Sequence, residues 1–135
     1  MGELPAPESP YDILGGADAV RRLTEAFYDA MEAHEPALAA IHQTDAEGRI
    51  KPEVRQRFGL FLVGWLGGPQ DYSARYGHPR LRMRHARVRV GVEMRDAWLR
   101  SMTRAMDACG VEGQVRRFLD ARFSEVATFL MNVEE

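Results

Sequence analysis

Apolar residues recur at helical spacing through most of the chain. Val20, Leu23, Phe27, Ala30 and Met31 fall three and four apart, along one face of a helix over about 17–33. Tyr28 sits beside that face rather than opposite it. Val54, Phe58, Phe61, Leu62 and Trp65 repeat the spacing in a helix opened by Pro52-Glu53 and closed by Gly67-Gly68-Pro69. Met94, Trp98, Met102 and Ala105 or Met106 mark a helix over about 92–108, which Gly110 breaks. Val115, Phe118, Leu119, Arg122, Val126, Phe129 and Leu130 place a last one over about 112–131.

Between these lie shorter pieces. Ser9-Pro10-Tyr11-Asp12 reads as a capped helix start, and Gly15-Gly16 stops it. Glu35-Pro36 restarts the chain as a short helix through Leu38 and Ile41 to His42. Residues 43–51 are polar and read as a loop, and the glycine-rich stretch from 67 to 77 as a loop with at most one turn. Arg87-Val88-Arg89-Val90 alternates as a strand would. No second strand pattern exists to pair with it, so an extended connection without a partner is expected. The fold class predicted is all-α.

Composition narrows the class. A chain of 135 residues can bury one core, and 45% hydrophobic with 28% charged residues is ordinary for a globular domain. No apolar run is long enough to span a membrane. Residues 1–10 are acidic and proline-rich, lack the features of a secretion signal, and are expected to be a disordered tail before a single domain over 11–131. Cys109 is the only cysteine, so no internal disulfide can form. That fits a reducing compartment, and a cytoplasmic protein is expected. With a net charge of −2 no global field attracts nucleic acid. Arg75, Arg80, Arg82, Arg84, Arg87 and Arg89 do crowd one segment, but only Tyr72 and Tyr76 stand near them for base stacking, so no nucleic-acid partner is expected.

The candidate chemistry centres on Gly77-His78-Pro79-Arg80-Leu81-Arg82-Met83-Arg84-His85. Pro79 can open a helix. Leu81, four before His85, and Val88, three after, would then share its face. The residues alone leave two readings: a core histidine satisfied by a carbonyl, or a metal ligand with guanidinium groups beside it.

That stretch, preceded by Gly67-Gly68-Pro69 and followed by Arg95-Asp96-Ala97-Trp98-Leu99, resembles the truncated haemoglobins, and within them the second group. The likeness runs from about Tyr11 to about Phe129. It implies a truncated globin fold, a two-over-two helical sandwich around haem. It implies haem b as cofactor, because no Cys-x-x-Cys-His is present for covalent attachment, and His85 as the iron's proximal ligand. Arg57, Tyr72 and Arg84 match positions that hold the haem propionates, with His78 a weaker candidate. Phe27, Phe58, Leu62, Leu81, Val88, Met102 and Val126 would supply the apolar slot.

On the distal side, Tyr28 matches the tyrosine of the second helix and Trp98 the tryptophan of this group. His42 falls where the group has Tyr or Phe. Val54 and Phe58 fill the places where other globins carry a distal donor, so Tyr28, Trp98 and His42, with Phe27 beside them, form the expected ligand pocket. Ala86-Arg87-Val88 departs from the Pro-Phe common in the group after the proximal histidine.

The resemblance implies binding of O₂, CO, NO or a similar diatomic ligand. Two alternatives stay open: an enzyme turning over NO with O₂, or peroxide, with an external reductase, and a haem-based gas sensor. Cys109, Glu53 and Asp96 form no acid–base dyad at a defined place, so weak peroxidase activity is expected. No Gly-x-Gly-x-x-Gly is present for a nucleotide cofactor. The chain is expected to be a monomer or homodimer.

Overall fold

The computed structural model describes residues 8–77 and 89–132. The helices among them are α1 (Pro10–Leu14), α2 (Ala17–His34), α3 (Pro36–Ala39), α4 (Pro52–Trp65), α5 (Asp71–Tyr76), α6 (Val92–Ala108) and α7 (Gly113–Phe129). No strand occurs among the described residues, and Thr44 and Ile50 pair in an isolated bridge across the loop before α4. None of the helices is long and apolar enough to cross a membrane.

The core lies where α2 packs along α6 and crosses α4, with α7 closing against α6. Val20, Leu23, Phe27 and Met31 of α2 meet Met102, Ala105 and Met106 of α6, all of them nearly or fully out of solvent. Burying each large side chain here contributes about 1.5–3 kcal/mol.

Local chemistry sets the ends of these elements. The Ser9 hydroxyl accepts from Asp12 N at 3.2 Å, and the Asp12 carboxylate accepts from Ser9 N, which makes a capping box for α1. Tyr11 N donates to Leu66 O at 3.0 Å, docking α1 on the end of α4. Gly67 and Gly68 make that docking possible. A Cβ at Gly68 would stand 2.6 Å from the Tyr11 ring, and one at Gly67 2.7 Å from Ser9 Cβ.

The structure corrects several expectations. The segment after Pro69 is helical over Asp71–Tyr76, because Gln70 reaches back to Gly64 O and Gly68 O and sets its start. The short helix after Glu35 ends at Ala39, and His42 lies beyond it in a turn. Val90 is not partnerless: its N–H donates to Asn132 Oδ1 at 2.8 Å and its carbonyl accepts from Asn132 N at 2.9 Å.

On α7 the buried stripe is Leu119, Phe123 and Ala127, while Phe118 and Phe129 are more than half exposed. Phe123 stacks on Trp65 with ring centres 5.1 Å apart, and that contact turns the helix away from the expected stripe. Arg55, a charged residue of α4, is 5% exposed.

Candidate haem site

A cavity of about 430 Å³ opens between α2, α4, α6 and α7. It explains an oddity of α4. Val54, Phe58, Phe61 and Trp65 form its apolar face, yet they are only half buried, because that face looks into the cavity.

One end is aromatic and tightly built. Phe27 meets Tyr28 at 5.0 Å, Phe58 at 5.3 Å and Trp98 at 5.3 Å between ring centres. Edge-to-face pairs of this kind add about 0.5–1.5 kcal/mol each beyond burial. They also fix where the polar tips of Tyr28 and Trp98 sit.

Tyr28 is 4% exposed, and no described residue accepts a hydrogen bond from its hydroxyl. Burial pushes its phenol well above the ordinary tyrosine range, against a smaller downward pull from the Arg55 guanidinium. The group therefore stays protonated, a donor, at neutral pH. Trp98 comes from α6 and its indole N–H likewise has no acceptor among the described residues. Two donors from different helices thus reach one largely apolar end of the cavity.

His42 stands at the same end, its ring edge-to-face with Tyr28 at 5.8 Å. Its Nδ1 is 3.0 Å from Leu38 O. A carbonyl can only accept, so Nδ1 carries the proton in this contact.

The sides are apolar: Leu62 and Trp65 of α4, and Phe123, Val126 and Ala127 of α7. The rim carries charge. Arg57 is exposed with its guanidinium 5.0 Å from the Tyr76 ring centre, and Tyr72 lies buried beneath, against Phe61 at 5.7 Å. Arg75, and after it Arg57, holds the Tyr76 phenol below its usual range. Arg95 lines the other side of the cavity, its Nε donating to Asp96 Oδ1 at 3.1 Å and its Nη1 to Met131 Sδ at 3.5 Å.

The structure brings together Phe27, Tyr28, His42, Val54, Arg57, Phe58, Leu62, Tyr72, Trp98 and Val126, each selected from sequence, around this one cavity. Met102 does not belong to it: the side chain is fully buried between α2 and α6, a core position rather than a wall. His78, Leu81, Arg84, His85 and Val88 lie outside the described residues. The sequence reading passed over Phe61, Trp65, Phe123 and Arg95. Arg95 had a signal in its spacing, three residues before Trp98 and so on a neighbouring helix position. Phe123 had none, because its neighbours Phe118 and Arg122 suggested a different face.

A flat apolar cofactor with two carboxylates needs such a slot, cations at its rim and donors above its centre. The cavity falls within the roughly 300–1,000 Å³ usual for cofactor sites. The residues present fit haem on these grounds.

The bacterial-like globin family model matches residues 9–132. The chain belongs to that family. This globin is 35% identical over 127 residues to group 2 truncated hemoglobin YjbI of Bacillus subtilis, covering 94% of this chain and 91% of that protein. A truncated oxygen-avid haemoglobin from Bacillus subtilis superposes with a TM-score of 0.82 at 35% identity, over 93% of this chain and all of that one. A group II 2-on-2 hemoglobin from Agrobacterium tumefaciens superposes with a TM-score of 0.86 at 32% identity, over 98% of this chain and all of that one. The globin is thus a truncated haemoglobin of the second group with the two-over-two helical fold. Haem-based binding of a small ligand comes with the family.

Proposed function

We propose that this globin holds haem b through His85 and binds O₂ reversibly at the Tyr28–Trp98 end of the cavity. Haem, when bound, supplies the iron at which a diatomic ligand attaches. The observation that carries the reading is the placing of Tyr28 and Trp98, two hydrogen-bond donors from α2 and α6, against one largely apolar cavity. Phe27, Val54 and Phe58 exclude water from that chamber, so each donor acts in a low dielectric. His42 packs edge-to-face on the Tyr28 ring at the same end. Arg57 and Tyr72, with Arg84, pair with the haem carboxylates, where the planar guanidinium fork suits a carboxylate.

The oxygen-avid relative from Bacillus subtilis supports O₂ as the ligand. Cytoplasmic location and reduction by a separate reductase complete the reading.

The test is haemin titration followed by absorption spectra of the oxidised, reduced, O₂ and CO forms. His85→Gly should lose stable haem binding or regain it with added imidazole, and His78→Ala should do neither. A His85→Gly protein with a normal spectrum overturns the ligation. A wild-type ferrous protein that forms no stable O₂ spectrum overturns the ligand.

A further inference from the structure

The buried Arg55 has no place in the haem site as described. It sits in the first turn of α4, and its side chain reaches across to α2 rather than out to water. Nη1 donates to Glu25 Oε2 at 2.9 Å and Asp29 Oδ1 at 3.0 Å, and Nε donates to Ile50 O at 3.1 Å. Nη2 forms an ion pair with Glu32 Oε2 at 3.0 Å, without hydrogen-bond geometry. That carboxylate is itself fixed, because Oε2 accepts from Ile50 N at 2.6 Å.

A clamp of helix to helix would explain one ion pair. It does not explain the position of this set. Glu25, Asp29 and Glu32 lie three before, one after and four after Tyr28, so the carboxylates share one flank of α2 immediately beside that residue. The guanidinium they hold faces the Tyr28 ring, with Cζ 5.5 Å from its centre. A cation over an aromatic face is attracted to it, more strongly when both are out of water. Phe58, three residues after Arg55 on α4, meets the same ring edge-to-face at 5.9 Å. Arg55 and Phe58 therefore hold Tyr28 from the same helix.

We propose that Arg55 is a positioning residue for Tyr28: the fork fixed by three carboxylates sets the ring, and so the hydroxyl, at the cavity wall, and governs how firmly a ligand is held without touching it. This rests on Tyr28 being a ligand donor.

The test is a double-mutant cycle on the haem-loaded globin, read by O₂ dissociation, together with NMR of ring-labelled tyrosine in the diamagnetic CO form. Arg55→Lys keeps a cation among the carboxylates, so it folds, but loses the planar fork. O₂ should leave Arg55→Lys roughly threefold faster or more, whereas in a Tyr28→Phe background the same change should have almost no effect. Glu25→Gln, at a half-exposed arm of the set, should act in the same direction with smaller size. Arg55→Lys should also move the Tyr28 ring signals and leave those of Tyr11, Tyr72 and Tyr76 in place.

Equal fold-changes in both backgrounds would make Arg55 a structural clamp and overturn the proposal, as would unmoved Tyr28 signals. If Tyr28→Phe alone leaves O₂ dissociation unchanged, the donor reading of Tyr28 fails. Ring signals that still move with Arg55→Lys would then separate that failure from one of positioning.

Discussion

Arg100 clasps Glu35 with both ends of its fork, Nε to Oε2 at 2.9 Å and Nη2 to Oε1 at 2.8 Å, across 65 positions of sequence. Glu35 is the junction of α2 and α3, and Arg100 lies on α6 two residues after Trp98. The pair thus ties the corner that carries Leu38 and His42 to the helix that carries Trp98.

Hydrogen bonding from Arg100 holds the Glu35 carboxyl below its ordinary value of 4.5. A depressed carboxyl stabilises the fold above its unfolded pKa, and the contribution is lost as pH falls from there through the lower folded value. Glu35→Gln should therefore lower Tm near neutral pH, with a gap to wild type that narrows below about pH 4.5. Because Arg100 is half exposed, added salt should narrow it too. Thermal melts at several pH values check this; a gap that widens in acid would contradict it.

The distal donors should discriminate between ligands. A net hydrogen bond contributes about 0.5–1.5 kcal/mol, and more to a partly charged acceptor. O₂ should leave Trp98→Phe and Tyr28→Phe roughly three- to a hundred-fold faster, at about 1.4 kcal/mol per factor of ten. CO carries less charge on its outer atom, so its dissociation should change much less. Trp98→Phe should have the larger effect, since the indole is a donor only. His42→Phe should act weakly, through its ring contact with Tyr28. Stopped-flow measurements decide this, and unchanged O₂ rates in all three variants would rule out the network.

Two glycines of α4 and its end should respond oppositely to alanine. At Gly68 the added methyl meets the Tyr11 ring, which cannot retreat without lifting α1. Overpacking of this kind costs about 1–3 kcal/mol. At Gly59, inside α4, a Cβ would stand 3.5 Å from Thr24 Oγ1, an ordinary contact, and alanine is the better helix former by up to about 1 kcal/mol. Gly68→Ala should lower Tm by several degrees and Gly59→Ala should hold or raise it.

Helical spacing marks the faces that carry Phe58 and Trp98, and that they line a pocket followed from the family resemblance alone. Phe58 and Trp98 repeat every three or four residues, and the face they form is the same whether it packs on protein or on a cofactor. Spacing could not separate those cases. Met102 and Trp98 share one stripe of α6, yet Met102 is buried core while Trp98 lines the cavity.

The sequence by itself determined the helical class and the order of the principal helices, since each depends on neighbours within a turn or two, while the family resemblance named many of the residues around the cavity and passed over Phe61, Trp65, Phe123 and Arg95. The rotation of α7, the partnering of Val90 by Asn132 and the reason for Gly67-Gly68 were decided by tertiary structure. So was the burial of Arg55. A charged residue reads as surface until three carboxylates, placed by another helix, surround it. Those relations join residues between 23 and 58 positions apart, and no local pattern of polar and apolar residues encodes which distant group will complete a hydrogen bond or occupy a space.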